Sequence, residues 1–167
     1  DMENYPAFTL PGDGHYLEYE YNIGPWYNND ADKEYSLDIP NYHFNFEEEA
    51  FAFITFNADS VKADDSKTAA ANTLDIFKAH SGKQFLAAFT INQDMAMGNK
   101  VSDWLISPML SGDAQNISFW YKTLNKSNGT PSFEVAYSTT DSLYTSFTHT
   151  VTDTVISMKT AEWQKMT

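Results

Sequence analysis

The stretch Val101-Ser102-Asp103-Trp104-Leu105-Ile106-Ser107-Pro108 admits one kind of local structure. An acid stands directly before a large aromatic, residues suited to extended backbone follow, and Pro108 ends the run because it has no N–H to give to a sheet ladder. A short strand is therefore predicted, with Trp104 and Ile106 on one face and Leu105 on the other. Asp103, at its entrance, either binds a cation or caps the preceding turn.

Runs of similar length recur on both sides of this one. In Ala50 to Phe56, Ala50, Ala52, Ile54 and Phe56 oppose Phe51, Phe53 and Thr55, so both faces are apolar and the strand is expected to be central. Gln84 to Ile91 has the same character. The segment Asn116 to Thr123 sets Ile117, Phe119 and Tyr121 on one face, and Phe133, Val135 and Tyr137 repeat the pattern. Asn128-Gly129 lies between them and marks a hairpin, which makes these two strands expected antiparallel neighbours. Tyr16 to Tyr21 alternates as a half-exposed strand, residues 1–10 hold a first strand built on Tyr5, Phe8 and Leu10, and Thr73 to Ala79 is ambiguous between helix and strand. A chain of 167 residues carrying 10 Tyr, 12 Phe and 4 Trp is long and aromatic enough to form one domain, residues 1–167, with a real core.

The least regular segment runs from Asn22 to Phe46 and is too long for a simple hairpin loop. Its rings, Trp26, Tyr27, Tyr35 and Tyr42, with His43, are candidates for stacking on sugar faces or on a partner. Asn28, Asn29, Asp30 and Asp32 would then bond hydroxyls. The alternative is an Ω-loop whose aromatics fold back onto the sheet.

Ten Lys and Arg against 23 Asp and Glu leave a net charge of −13, which repels phosphate backbones and anionic membranes, so nucleic acid is not an expected partner. Clustered carboxylates suit Ca²⁺, a hard cation that takes oxygen ligands, although surface acids also serve solubility alone. The absence of cysteine removes disulfides and thiolate metal sites. No run is long and apolar enough for a membrane span, and no membrane insertion is expected. His15, His43, His80 and His149 are scattered, without the His-x-x-x-His spacing of a zinc site or a glycine-framed serine nucleophile, so no catalysis is expected.

Asp103-Trp104-Leu105-Ile106-Ser107-Pro108, followed by Ile117-Ser118-Phe119-Trp120-Tyr121, resembles the cleaved-adhesin or choice-of-anchor J family, MAM-like modules of secreted and surface proteins of Bacteroidetes that include gingipain adhesin regions. The likeness extends to His80-Ser81-Gly82-Lys83-Gln84-Phe85-Leu86, to Ser132-Phe133-Glu134-Val135-Ala136-Tyr137-Ser138-Thr139 and to Glu162-Trp163. It implies an all-β jelly-roll sandwich of two antiparallel sheets, ending here before its last strands and forming part of a longer chain with further domains. It also implies an extracellular or outer-membrane location and a non-catalytic role in binding a glycan or a host or surface protein. A ligand-free spacer attached to a secreted peptidase or glycosidase is the alternative. A structural calcium follows from the same likeness, with Asp103, the acid before the tryptophan, as first ligand and Asp1 and Glu3 behind it.

Overall fold

The structure, a computed structural model, describes residues 2–8, 19–36, 39, 41–64, 73–89, 101–123, 131–151, 156–157 and 161–167. Among these the chain is all-β: strands are joined by loops and by four short 3-10 turns, Met2–Asn4, Ala58–Ser60, Thr73–Phe77 and Tyr144–Ser146. No helix among the described residues is long and apolar enough to cross a membrane. Two compact units are formed, Asp1–Met109 and Leu110–Thr167.

In the first unit, strands β1 (Glu20–Ile23) and β2 (Trp26–Asp30) are the arms of a hairpin in which Ile23 pairs with Trp26. The two residues between them are Gly24-Pro25. Gly24 has φ +57°, the sign required at the first central residue of a primed hairpin turn, and a Cβ there would run into the Tyr5 ring. The segment predicted as irregular thus contributes a central strand, because β2 is covered on its other side by a later one. Further along come β3 (Tyr42–His43), β4 (Ile54–Phe56), β5 (Lys62–Ala63), β6 (Phe85–Ala87) and β7 (Asp103–Ile106). The last of these, the predicted acid-tryptophan strand, pairs antiparallel with β2, giving a three-stranded sheet in the order β1-β2-β7.

Strand β4 is wholly buried and pairs with β6, while β3 pairs with β5. Phe56, with none of its surface exposed, is the hub of this core. Its ring lies 5.4 to 5.7 Å from those of Phe8, Phe44, Phe77, Phe85 and Phe89, mostly tilted or edge-on, as ring quadrupoles prefer. Thr73–Phe77, ambiguous in sequence, is a 3-10 turn that delivers Phe77 to this cluster. Residues 2–8 do not form the predicted first strand. They make the turn Met2–Asn4 and dock through Thr55, whose carbonyl accepts from Phe8 N (2.6 Å) and whose hydroxyl donates to Pro6 O (2.8 Å).

The second unit contains β8 (Phe119–Tyr121), β9 (Ser132–Phe133), β10 (Ala136–Tyr137), β11 (His149–Thr150), β12 (Ile156–Ser157) and β13 (Gln164–Met166). They pair as β8 with β13, β9 with β12 and β10 with β11, all antiparallel. The expected ladder between the strand at 116–123 and the one at 133–137 is therefore not formed. The second of these breaks at Glu134-Val135 and takes His149–Thr150 and Ile156–Ser157 as its partners instead, with Val151 N donating to Val135 O (2.7 Å). Phe119 and Tyr121 still meet Phe133 through their rings, at 6.0 and 4.9 Å, so these three residues of the predicted apolar faces come together without a ladder, while Ile117 and Tyr137 are exposed.

Candidate cation site

Register decides what happens around Asp103. In β2 and β7, Tyr27 faces Ile106, Asn28 faces Leu105, Asn29 faces Trp104 and Asp30 faces Asp103. Directly opposed residues on paired strands point to the same side of the sheet, so two carboxylates are set against each other there, an arrangement that like charge makes unfavourable. Asp32 joins them from the loop after β2. One carboxylate oxygen from each of Asp30, Asp32 and Asp103 lies within 4.8 Å of the other two.

The loop that brings Asp32 back is held by its own acids. Lys33 N donates to Asp30 Oδ1 (2.7 Å) and Glu34 N to Asp32 Oδ1 (3.0 Å), while Ser102 N donates to Asp32 Oδ2. Ala31 N donates to Ser102 O (3.0 Å), so the backbones on either side of the acids are fastened together. Lys33 takes φ +60°, a left-handed conformation that costs a lysine about 1–2 kcal/mol and turns the chain tightly enough to aim both acids.

Burial and mutual repulsion dominate the electrostatics. Asp30 is 1% exposed, and its second oxygen, Oδ2, is buried without a hydrogen-bond partner. Loss of solvent, then the Asp32 charge, pushes its carboxyl up to about 6 against the pull of the Lys33 amide. Asp103 is pushed up to about 8, first by burial and then by the charges of Asp32 and Asp30. Tyr21, on the same face through its pairing with Asn28, is also raised by burial, and its hydroxyl is committed to Phe53, donating to the carbonyl (2.6 Å) and accepting from the amide (2.9 Å). No lysine is paired with these carboxylates among the ion pairs of the described residues.

Among the described residues such a cluster has no positive side chain paired with it. Oxygens around one Ca²⁺ sit about 2.4 Å from it and so lie within about 5 Å of one another, which the three carboxylates satisfy. The orphaned buried oxygen of Asp30 is what a cation would complete. These residues fit a hard divalent ion.

Of the three acids that the family likeness implies as ligands, the structure brings Asp103 into this cluster. Glu3 lies elsewhere, its Oε1 accepting from Lys83 N (2.8 Å) and Gln84 N (2.9 Å), and these bonds hold its carboxyl below the usual range. Asp1 lies outside the described residues. Asp30 and Asp32 appear in the sequence only as hydroxyl-bonding candidates, yet the spacing Asp30-Ala31-Asp32, with oxygen ligands at alternate positions, is a signal that would have picked them out.

The four predicted stacking rings occupy three places. Trp26 and Tyr27 are adjacent on β2 and so point to opposite faces, both half-buried. Tyr35 is 63% exposed at a bridge to Ala50, and Tyr42 is half-buried on β3. Of the four histidines, His43 sits between Glu47 (2.5 Å) and Asp64 (3.9 Å), and His149 stacks on Tyr137 with ring centroids 5.1 Å apart. Comparison with family models, with curated proteins and with solved structures finds no match.

Proposed function

We propose that this chain is a non-catalytic binding module of the cleaved-adhesin or choice-of-anchor J type, an all-β jelly roll exported to the cell surface, whose first unit is completed by a structural calcium ion. The cation part is carried by one observation. Asp30 and Asp103 face each other across paired strands with Asp32 within the span of a single coordination sphere, and Asp30 keeps a buried oxygen without a partner. Their role is structural: a bound cation would tie β2, the loop after it and the entrance of β7, segments about 70 residues apart in the chain, which a sequence without cysteine cannot join by a disulfide.

Calcium is favoured over magnesium because the donors lie on two strands and a loop and accommodate an irregular sphere, whereas magnesium demands a near-ideal octahedron. Calorimetric titration of the chelator-stripped protein with Ca²⁺ tests this, and saturable heat at one ion per chain, lost in Asp30→Asn, is expected. Absence of heat and of any thermal stabilisation removes the metal from the account.

The adhesive part rests on the resemblance and on aromatic side chains with hydrogen-bonding neighbours. Trp26, Tyr27, Tyr35 and Tyr42 are the proposed contacts for a glycan or a surface protein, and Tyr35, the most exposed, is the first to test. Glycan-array binding that disappears in Tyr35→Ala supports contact there. An array with no signal for the intact protein favours a spacer that binds nothing.

A further inference from the structure

Asn28 is the residue of the sheet that its surroundings explain least. Its side chain has no exposed surface, and neither its amide nitrogen nor its carbonyl oxygen has a hydrogen-bond partner. Leaving both ends of a carboxamide unpaired in a core forfeits the hydrogen bonds it had with water, so such a side chain is expected to have something to bind. Its position narrows what that is. Residues two apart on a strand share a face, so Asn28 stands beside Asp30, and Asp103 lies on that face too as the direct partner of Asp30.

We propose that Asn28 is a fourth protein ligand of the cation held by Asp30, Asp32 and Asp103, its carboxamide oxygen adding a neutral donor from the same face of β2. This rests on the cation reading given above. Side chains two apart on a strand originate about 6.6 Å from each other, and a metal–oxygen distance of about 2.4 Å on each side, added to the length of two short side chains, closes that gap. A neutral oxygen also suits the charge balance. Three carboxylates already exceed the charge of a divalent ion, and a fourth would add to the repulsion within the cation-free protein, whereas a carboxamide completes the sphere without it.

The test is Asn28→Leu, close in volume and without polar atoms. In chelator the variant melts at or above the temperature of the parent chain, because an unsatisfied buried amide has gone, while its Ca²⁺ affinity falls tenfold or more. Luminescence lifetimes of bound Eu³⁺ in H₂O and D₂O then report one more metal-bound water in the variant than in the parent. Should the leucine variant fail to fold, Asn28→Thr, which suits a strand and is too short to reach the ion, is read in the same way. Unchanged affinity and unchanged hydration, with binding still abolished in Asp30→Asn, overturn the role of Asn28 and leave the site standing. A parent chain that binds neither ion overturns both.

Discussion

Glu3 and Asp103 are both acids that the sequence offers as metal ligands, and the fold puts them in opposite physical situations. Glu3 is an anchor. Its carboxylate accepts two backbone amides at the Gly82 turn, and Gln84 Nε2 reaches back to Met2 O (3.2 Å) and Tyr5 O (2.8 Å), so the charge of Glu3 has its complement. Asp103 faces another aspartate across a strand pair, has a third nearby and is pushed up to about 8, whereas Glu3 is lowered. A satisfied carboxylate stabilises the protein it belongs to; a crowded one destabilises it until something positive arrives. The difference separates an acid that serves folding by itself from acids placed for a ligand.

The largest expected effect comes from removing the crowding. The double variant Asp30→Asn/Asp103→Asn is predicted to be more stable than the parent chain in chelator at pH 8, by about 1–3 kcal/mol, and to gain nothing from Ca²⁺. Urea unfolding with and without Ca²⁺ measures both. A double variant that is less stable in chelator would mean that the acids support the sheet without a cation.

pH is expected to act on the two regions with opposite sign. Asp103 titrates at about 8 and Asp30 at about 6 in the folded chain, both above their ordinary 3.8, so the folded state binds these protons more tightly than the unfolded one. Cation-free stability therefore rises as pH falls from 8, and the penalty is gone below 3.8. The contribution of Glu3 runs the other way, being present above its ordinary 4.5 and lost as pH falls through its lower folded value. Melting temperature against pH in chelator should rise on acidification and then turn over, and in Asp103→Asn the rise should largely disappear.

Smaller effects separate the scaffolds of the two regions. Lys33→Gly removes the left-handed strain at φ +60° and is expected to stabilise the protein by about 1 kcal/mol, seen as a higher urea midpoint. Glu3→Gln should lower the melting temperature slightly and speed amide exchange at Lys83 and Gln84, leaving Ca²⁺ affinity untouched. A change in that affinity would join the two regions that are separated here.

The all-β class was legible because its signals are local. Pro108 stops β7, period-two alternation sets its faces, and Ala50 to Phe56, apolar on both sides, contains the buried β4. Strand β2 was not legible, since Asn28-Asn29-Asp30 has poor strand propensity and reads as loop. It is extended because β1 and β7 pair with both its edges, and the Gly24-Pro25 turn was the one local sign of it. Asp103 could be singled out from its place before Trp104. Its meeting with Asp30 and Asp32 depends on a pairing across some 70 residues, which no local pattern encodes. The same limit applies in the second unit, where Asn128-Gly129 suggests a hairpin but β8 takes the distant β13 as its partner.

Thermal unfolding of the chelator-stripped protein, repeated in Ca²⁺ at about a thousand times its dissociation constant, tests the central claim most directly. The account predicts a stabilisation of about 4 kcal/mol, present in Glu3→Gln and absent in Asp30→Asn. Identical melting curves with and without the ion would contradict it.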